Sequence, residues 1–178
     1  DLNLGWGIIN QSLGKTNNGG VQWSFYSFDP VCPTCSMNDI YFHNPNTGYT
    51  AGDYWNSGQN MGYMFMFKTT NAGLNWMQKF VYQSNANPYA PQLGHMFFPD
   101  NLMQVGYALG SYEIYAGLYK TTNSGENWSF KKQFSIQSNY QWFTSIDTGW
   151  ITSTQGRLMF TSDGGSNFIT YPNGINSE

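Results

Sequence analysis

The chain carries one nine-residue unit four times, and few architectures accommodate that. Lys120 to Trp128 reads K-T-T-N-S-G-E-N-W, Lys68 to Trp76 reads K-T-T-N-A-G-L-N-W, and Lys15 to Trp23 reads K-T-N-N-G-G-V-Q-W. Phe160 to Phe168 is a divergent fourth copy, F-T-S-D-G-G-S-N-F. In each, a Thr or Ser stands one place ahead of an Asn or Asp, a Gly follows, and an aromatic closes the unit three residues after the Gly. The aligned positions are Asn18, Gly20 and Trp23; Asn71, Gly73 and Trp76; Asn123, Gly125 and Trp128; and Asp163, Gly165 and Phe168. An Asn or Asp side chain accepting from a backbone N–H two residues on makes an Asx-turn. Gly supplies positive φ without steric cost, and the adjacent hydroxyl adds a second local hydrogen bond. The unit therefore reads as a turn between antiparallel strands. Its aromatic opens the outgoing strand, with burial contributing roughly 1.5–3 kcal/mol.

A second marker keeps step with the first. Gly5-Trp6, Gly48-Tyr49, Gly106-Tyr107 and Gly149-Trp150 each precede the next closing aromatic by 17 to 27 residues. The closing aromatics stand at 23, 76, 128 and 168, so the spacings are 53, 52 and 40. Those are the lengths of propeller blades built from four short strands. Residues around the units alternate with a period of two, as strands require, and no helical stripe of useful length is present. The sequence predicts an all-β chain, a β-propeller of four-stranded antiparallel blades at about residues 1–28 (partial), 37–82, 93–134 and 137–172. Closing a four-bladed ring would need Asn173 to Glu178 to supply the first strand of the first blade. That tail has one apolar residue and poor strand propensity, which favours a segment of a larger propeller. Expected strands include Gln22 to Phe28, Gly48 to Gly52, His95 to Phe98, Gly106 to Gly110 and Tyr140 to Ile146.

The repeated unit resembles the Asp-box, or bacterial neuraminidase repeat, of pattern S/T-x-D-x-G-x-x-W/F. Asp163, Gly165 and Phe168 fit it, with Ser162 one residue too close to the Asp, and Asn18, Asn71 and Asn123 replace the Asp in the other copies. The K-T-T-N-x-G-x-N-W form with its preceding Gly-aromatic strand is most similar to the repeat of the photosystem II assembly-factor family and its secreted bacterial relatives. The resemblance spans essentially the whole chain and implies a propeller scaffold. It implies no activity, because the same repeat lies on the scaffold of sialidases, sortilin-type receptors and xyloglucanases. The arginine patch of the assembly factors has only Arg157 to match it.

Aromatic residues make up 19% of the chain and charged residues 10%. Solubility must come from neutral hydrogen-bonding groups, a composition associated with secreted or cell-surface β-rich proteins. The net charge is -3, and Lys131-Lys132 is the one adjacent cationic pair. Counterion release on a polyanion would be small, which excludes nucleic acid as an expected partner. No run approaches the ~18 apolar residues of a membrane span, so no membrane insertion is expected. The first residue is Asp1 rather than Met, and the chain is read as a processed or excised piece.

In an antiparallel meander the repeated turns join third to fourth strands. The longer connections, Asp29 to Ser36, Asp53 to Asn60, Gln83 to Gln92 and Ser111 to Ile114, all belong to the opposite face. Variable loops gathered on one face of a repeat scaffold mark a binding face. Tyr54, Trp55, Tyr89, Tyr112 and Glu113 are its candidate contacts. A sialidase would need an arginine triad, and only Arg157 is present. A glycosidase needs two flanking carboxyl groups; Asp53, Asp100, Glu113 and Asp147 mark no motif, and Asp100 and Asp147 read as turn formers. Cys32-Pro33-Thr34-Cys35 lacks the further ligands of a zinc site and the following His of a haem site. A disulfide between Cys32 and Cys35 is expected, in keeping with an oxidising compartment. The expectation is a non-enzymatic module without metal or cofactor that binds or assembles with protein, the alternative being a carbohydrate-binding or glycoside-hydrolase-type segment.

Overall fold

The structure is a computed structural model that describes residues 3–28, 32, 34–85, 91–112 and 115–171. The elements are strands, with no helix among the described residues: β1 (Gly5–Ile9), β2 (Ser12–Thr16), β3 (Ser24–Phe25), β4 (Ser36–Phe42), β5 (Gly48–Asn56), β6 (Met61–Thr69), β7 (Met77–Ser84) and β8 (Gln92–Phe97). They continue with β9 (Gly106–Tyr112), β10 (Tyr115–Thr121), β11 (Ser129–Phe134), β12 (Ser138–Phe143), β13 (Gly149–Ser153), β14 (Leu158–Thr161) and β15 (Ile169–Tyr171). Each sheet is an antiparallel meander in chain order: β1 to β3, then β4 to β7, β8 to β11 and β12 to β15. Among the described residues the first blade thus has three strands and the others four. Two compact units form, Asp1–Gly94 and His95–Glu178. Leu13, Phe28, Met37, Phe65 and Phe67 build the core of the first, and Leu109, Leu118, Phe143, Ile151 and Met159 that of the second.

Strand pairing explains why the two sequence markers run in phase. Gly5 lies opposite Thr16, Gly48 opposite Thr69, Gly106 opposite Thr121 and Gly149 opposite Thr161. Each marker glycine is therefore the cross-strand partner of the threonine that roots the next turn. The marker aromatics then face the lysines that open the units. Lys15 Nζ lies 5.0 Å from the centre of the Trp6 ring, Lys68 Nζ 5.6 Å from Tyr49 and Lys120 Nζ 5.0 Å from Tyr107, in cation–π geometry. In the fourth blade Phe160 replaces the lysine and packs on Trp150 at 5.0 Å.

Inside each unit, adjacent blades meet in the same way. Trp6 of the first blade stacks on Phe42 of the second at 4.9 Å, and Tyr107 of the third stacks on Phe143 of the fourth at 3.7 Å. Lys15 Nζ donates to the carbonyl of Ala72 at 2.8 Å and Lys120 Nζ to that of Gly164 at 3.4 Å. Both acceptors lie in the repeated turn of the following blade. The closing aromatic of that blade packs on the exit of the preceding one, Trp76 on Phe28 at 6.4 Å and Phe168 on Phe134 at 5.0 Å.

Several expected boundaries shift. The loop read as Asp53 to Asn60 shrinks to residues 57–60, because β5 stays paired with β6 as far as Asn56 opposite Met61. The loop Ser111 to Ile114 tightens likewise, with Tyr112 paired to Tyr115. Of the strand expected from Gln22 to Phe28, Ser24 and Phe25 form the strand, and the Tyr26 N–H still donates to the Leu13 carbonyl at 2.9 Å. Cys32 and Cys35 are joined by a disulfide, with Cys32 buried in the first unit's core. The tail Asn173 to Glu178 lies outside the described residues.

Candidate binding surface

The repeated turns are built around a hydroxyl. Thr16, Thr69, Thr121 and Thr161 each donate to the side-chain oxygen of the Asn or Asp two residues on, at 2.9–3.0 Å. Each also accepts the N–H of the Gly four residues on, at 2.9–3.0 Å. The Asn or Asp oxygen accepts the N–H of the residue four further on, again at 2.9–3.0 Å. Two sequence expectations are corrected by this geometry. The Asn or Asp bond reaches four residues rather than two, and the working hydroxyl belongs to the Thr two places ahead, so Thr161 rather than Ser162 is the partner of Asp163. Two successive residues of each turn have positive φ, from Gly19 and Gly20 to Gly164 and Gly165, with Ala72 and Ser124 occupying the first of them in the middle copies. In the last three copies the first of these residues donates its N–H to the loop joining first and second strands, as in Ala72 to Asn46 and Gly164 to Asp147, and in the first copy Gly19 donates to Asn3, just ahead of β1. These turns are scaffold.

Of the residues expected to bind, Tyr54 and Trp55 lie on β5 rather than in a loop. Tyr54 stacks on Tyr63 at 4.6 Å and sits against the core residue Phe65; burial and Tyr63 push its hydroxyl above the usual phenol range. Tyr112 ends β9. Tyr89 and Glu113 lie outside the described residues. Asp53 is buried, accepts from Asn38 Nδ2 at 2.6 Å, and is held above the ordinary carboxyl range by burial, against the lowering effect of that bond. Asp100 accepts from the N–H groups of Gln104 and Val105, and Asp147 supplies its main chain to the Gly164 turn. Both are turn formers. Among the described residues no group of three or more His, Cys, Asp or Glu could hold a metal ion.

A surface that loop reasoning missed lies on first strands of the second unit. Tyr140 and Trp142, two apart on β12, share one face and are 68% and 60% exposed. His95 and Phe97, two apart on β8, lie beside them, with His95 4.8 Å from Tyr140 and Phe97 4.6 Å from Trp142. His95 has a φ of 52°, a left-handed conformation that costs a non-glycine residue energy and needs its surroundings to hold it. Gln141 helps to do so, its Nε2 donating to the His95 carbonyl at 2.5 Å. Two exposed aromatics packed against His95 and Phe97 thus form an aromatic patch. Aligning the first strands on their last Phe reveals it: Tyr41-Phe42, Phe97-Phe98 and Trp142-Phe143 place an aromatic in the same column.

No family model matches the chain, and no curated protein matches it. Among solved structures it is similar to YCF48 bound to D1 peptide, at 19% identity and a TM-score of 0.59, over 96% of this chain and 50% of that one. It is also similar to the Nup133 β-propeller domain of Vanderwaltozyma polyspora, at 12% identity and a TM-score of 0.47, over 91% of this chain and 55% of that one. YCF48 from Cyanidioschyzon merolae aligns at 12% identity and a TM-score of 0.35, over 95% of this chain and 81% of that one. The chain spans about half the length of the first of these structures. That likeness, with the four meander sheets, shows a β-propeller fold.

Proposed function

We propose that the chain is a non-catalytic, extracellular or cell-surface propeller module that binds a protein segment on the patch of His95, Phe97, Tyr140 and Trp142. The carrying observation is the exposure of Tyr140 and Trp142 side by side on strand β12. Contiguous exposed apolar surface marks interaction sites, and Tyr and Trp dominate the energetic centres of protein interfaces. The similar YCF48 structure holds a peptide, which supports a peptide-sized partner. The Cys32–Cys35 disulfide and the preponderance of neutral polar residues support an oxidising compartment. Tyr54, Trp55, Tyr89, Tyr112 and Glu113 constitute the second surface to test.

Glycan binding is the second reading, favoured by the exposed indole of Trp142, which offers a flat face for a sugar ring. Displayed random peptides and a glycan array, applied to the same purified protein, separate the two. Selected peptides should lose at least about tenfold in affinity on Tyr140→Ala with Trp142→Ala, a loss of about 1.4 kcal/mol, and bind Trp55→Ala unchanged. Selection of no peptide, or of peptides indifferent to both substitutions, refutes the protein reading. Glycans bound by the native chain and lost on Trp142→Ala establish the sugar reading instead.

A further inference from the structure

The fourth blade has two unlike faces. Pairing across its four strands places Trp142, Trp150, Phe160 and Ile169 in one row. Tyr140, Thr152, Leu158 and Tyr171 form the next row. They lie two residues along each strand and so share the face of the first row. None of these eight residues is buried and none is charged. The alternating residues, among them Phe143, Ile151 and Met159, point the other way and are buried in the core of the second unit.

This face is not built to seat a further blade of the same kind. In the first and third blades a lysine stands at the Phe160 position. Lys15 and Lys120 each donate to a carbonyl in the repeated turn of the following blade. Phe160 has no such donor, and its ring packs on Trp150 instead. The row has exchanged the cation that holds a neighbouring turn for an unbroken apolar strip. Its size suits association. Tyr140, Trp142 and Tyr171 are 68, 60 and 44% exposed. At ~150–250 Å² per aromatic side chain, these three offer roughly 250–430 Å². Ile169, 58% exposed, and the half-buried Trp150, Leu158 and Phe160 enlarge that area. The sum moves towards the ~800 Å² that each partner brings to a standard interface.

We propose that this face of the fourth blade is a homodimer interface, closed by the same face of a second copy about a two-fold axis. The inference rests on the reading of Tyr140 and Trp142 as a protein-binding surface, and it names the partner. A two-fold contact sets a surface against itself, so a charge near the axis would meet its own copy and repel it. The eight uncharged residues carry no such penalty. Two sheets pack face to face through apolar side chains about 10 Å apart. The fourth blade is free to do so, because its other face is already occupied by the third. Closure about a two-fold leaves no copy of the face unused, so assembly stops at two.

Sedimentation equilibrium of the intact 178-residue chain should show a reversible monomer–dimer equilibrium across the micromolar range. Ile169→Lys sets an unpaired charge into the apolar contact and should raise the dissociation constant at least about tenfold. Tyr140→Ala with Trp142→Ala should do the same by removing two aromatic anchors. Both variants change exposed side chains and leave the core of the unit intact. Phe25→Lys, at a residue 57% exposed on β3 of the first unit, should dimerise as the native chain does. A chain that stays monomeric throughout that range overturns the inference. So does a dimer indifferent to Ile169→Lys and to the double variant, or a series of species that keeps growing with concentration. A monomeric chain whose Tyr140 and Trp142 still capture displayed peptides overturns the dimer and leaves the peptide reading of the patch intact. A monomeric chain that captures none overturns both.

Discussion

Thr16, Thr69, Thr121 and Thr161 are all between 0 and 4% exposed, and each hydroxyl serves as donor and acceptor at once. Removing Thr69, Thr121 or Thr161 leaves the buried N–H of the glycine four residues on without its partner. Thr69→Val, nearly equal in volume, should therefore cost about 1–3 kcal/mol, the penalty for a buried group left unsatisfied. Thr70→Ala, on the exposed neighbour, should stay within about 0.5 kcal/mol. Urea midpoints of the two variants check this, and equal losses would remove the hydroxyl from its place at the root of the turn. Asp163 adds a pH dependence that its counterparts lack. The N–H of Asn167 above all, then its side-chain amide, the Thr161 hydroxyl and the Ser166 N–H hold the Asp163 carboxyl down to about 2. An ordinary Asp titrates near ~3.9, so the unfolded chain takes up the proton first. The contribution is complete above about pH 4 and disappears as pH falls towards about 2. Asn18, Asn71 and Asn123 make the same bond to the N–H four residues on without titrating. Asp163→Asn should accordingly flatten the fall in melting temperature between pH 4 and pH 2, and an unchanged profile would assign that fall to other carboxyl groups.

At the level of strands and turns, what was legible followed from pairing. The Gly-aromatic marker and the repeated unit are far apart in sequence yet directly opposed in space, Gly106 against Thr121 and Tyr107 against Lys120. A cross-strand pair leaves a covariant trace of this kind, and so the blades could be read. The extents of β5 and β9 could not. Asp53, Asn56 and Ser111 have loop-like chemistry, but β6 and β10 run equally long beside them and satisfy their main chains. Tertiary context overrode local preference. The aromatic patch was obscured for a different reason. Loop length directs attention to one face of a repeat scaffold, whereas Tyr140 and Trp142 stand on regular strand, where alternation looks the same whether the outward residue meets solvent or a partner. The strained backbone of His95 leaves no mark in the residue string at all.

At the scale of the molecule, the described core clusters of the two units share no residue, and the contact between adjacent blades is repeated within each unit rather than unique to one. Stability in such an array approximates a sum of blade terms and nearest-neighbour terms. Tyr107 concentrates one of those neighbour terms. Its ring stacks on Phe143 at 3.7 Å, its hydroxyl donates to the Ile146 carbonyl at 2.6 Å, and Lys120 lies over its face. Truncation to alanine removes all three from a fully buried site, and large-to-small aromatic changes in cores cost about 3–5 kcal/mol. The loss should appear where the contact is. Native-state hydrogen exchange of Tyr107→Ala should show reduced protection in β9, β10, β13 and β14, with β5 and β6 unchanged, because partial openings follow local cooperative units. A uniform loss across β5, β6, β13 and β14 would mean that the chain opens only as a whole, and the nearest-neighbour description would then fail.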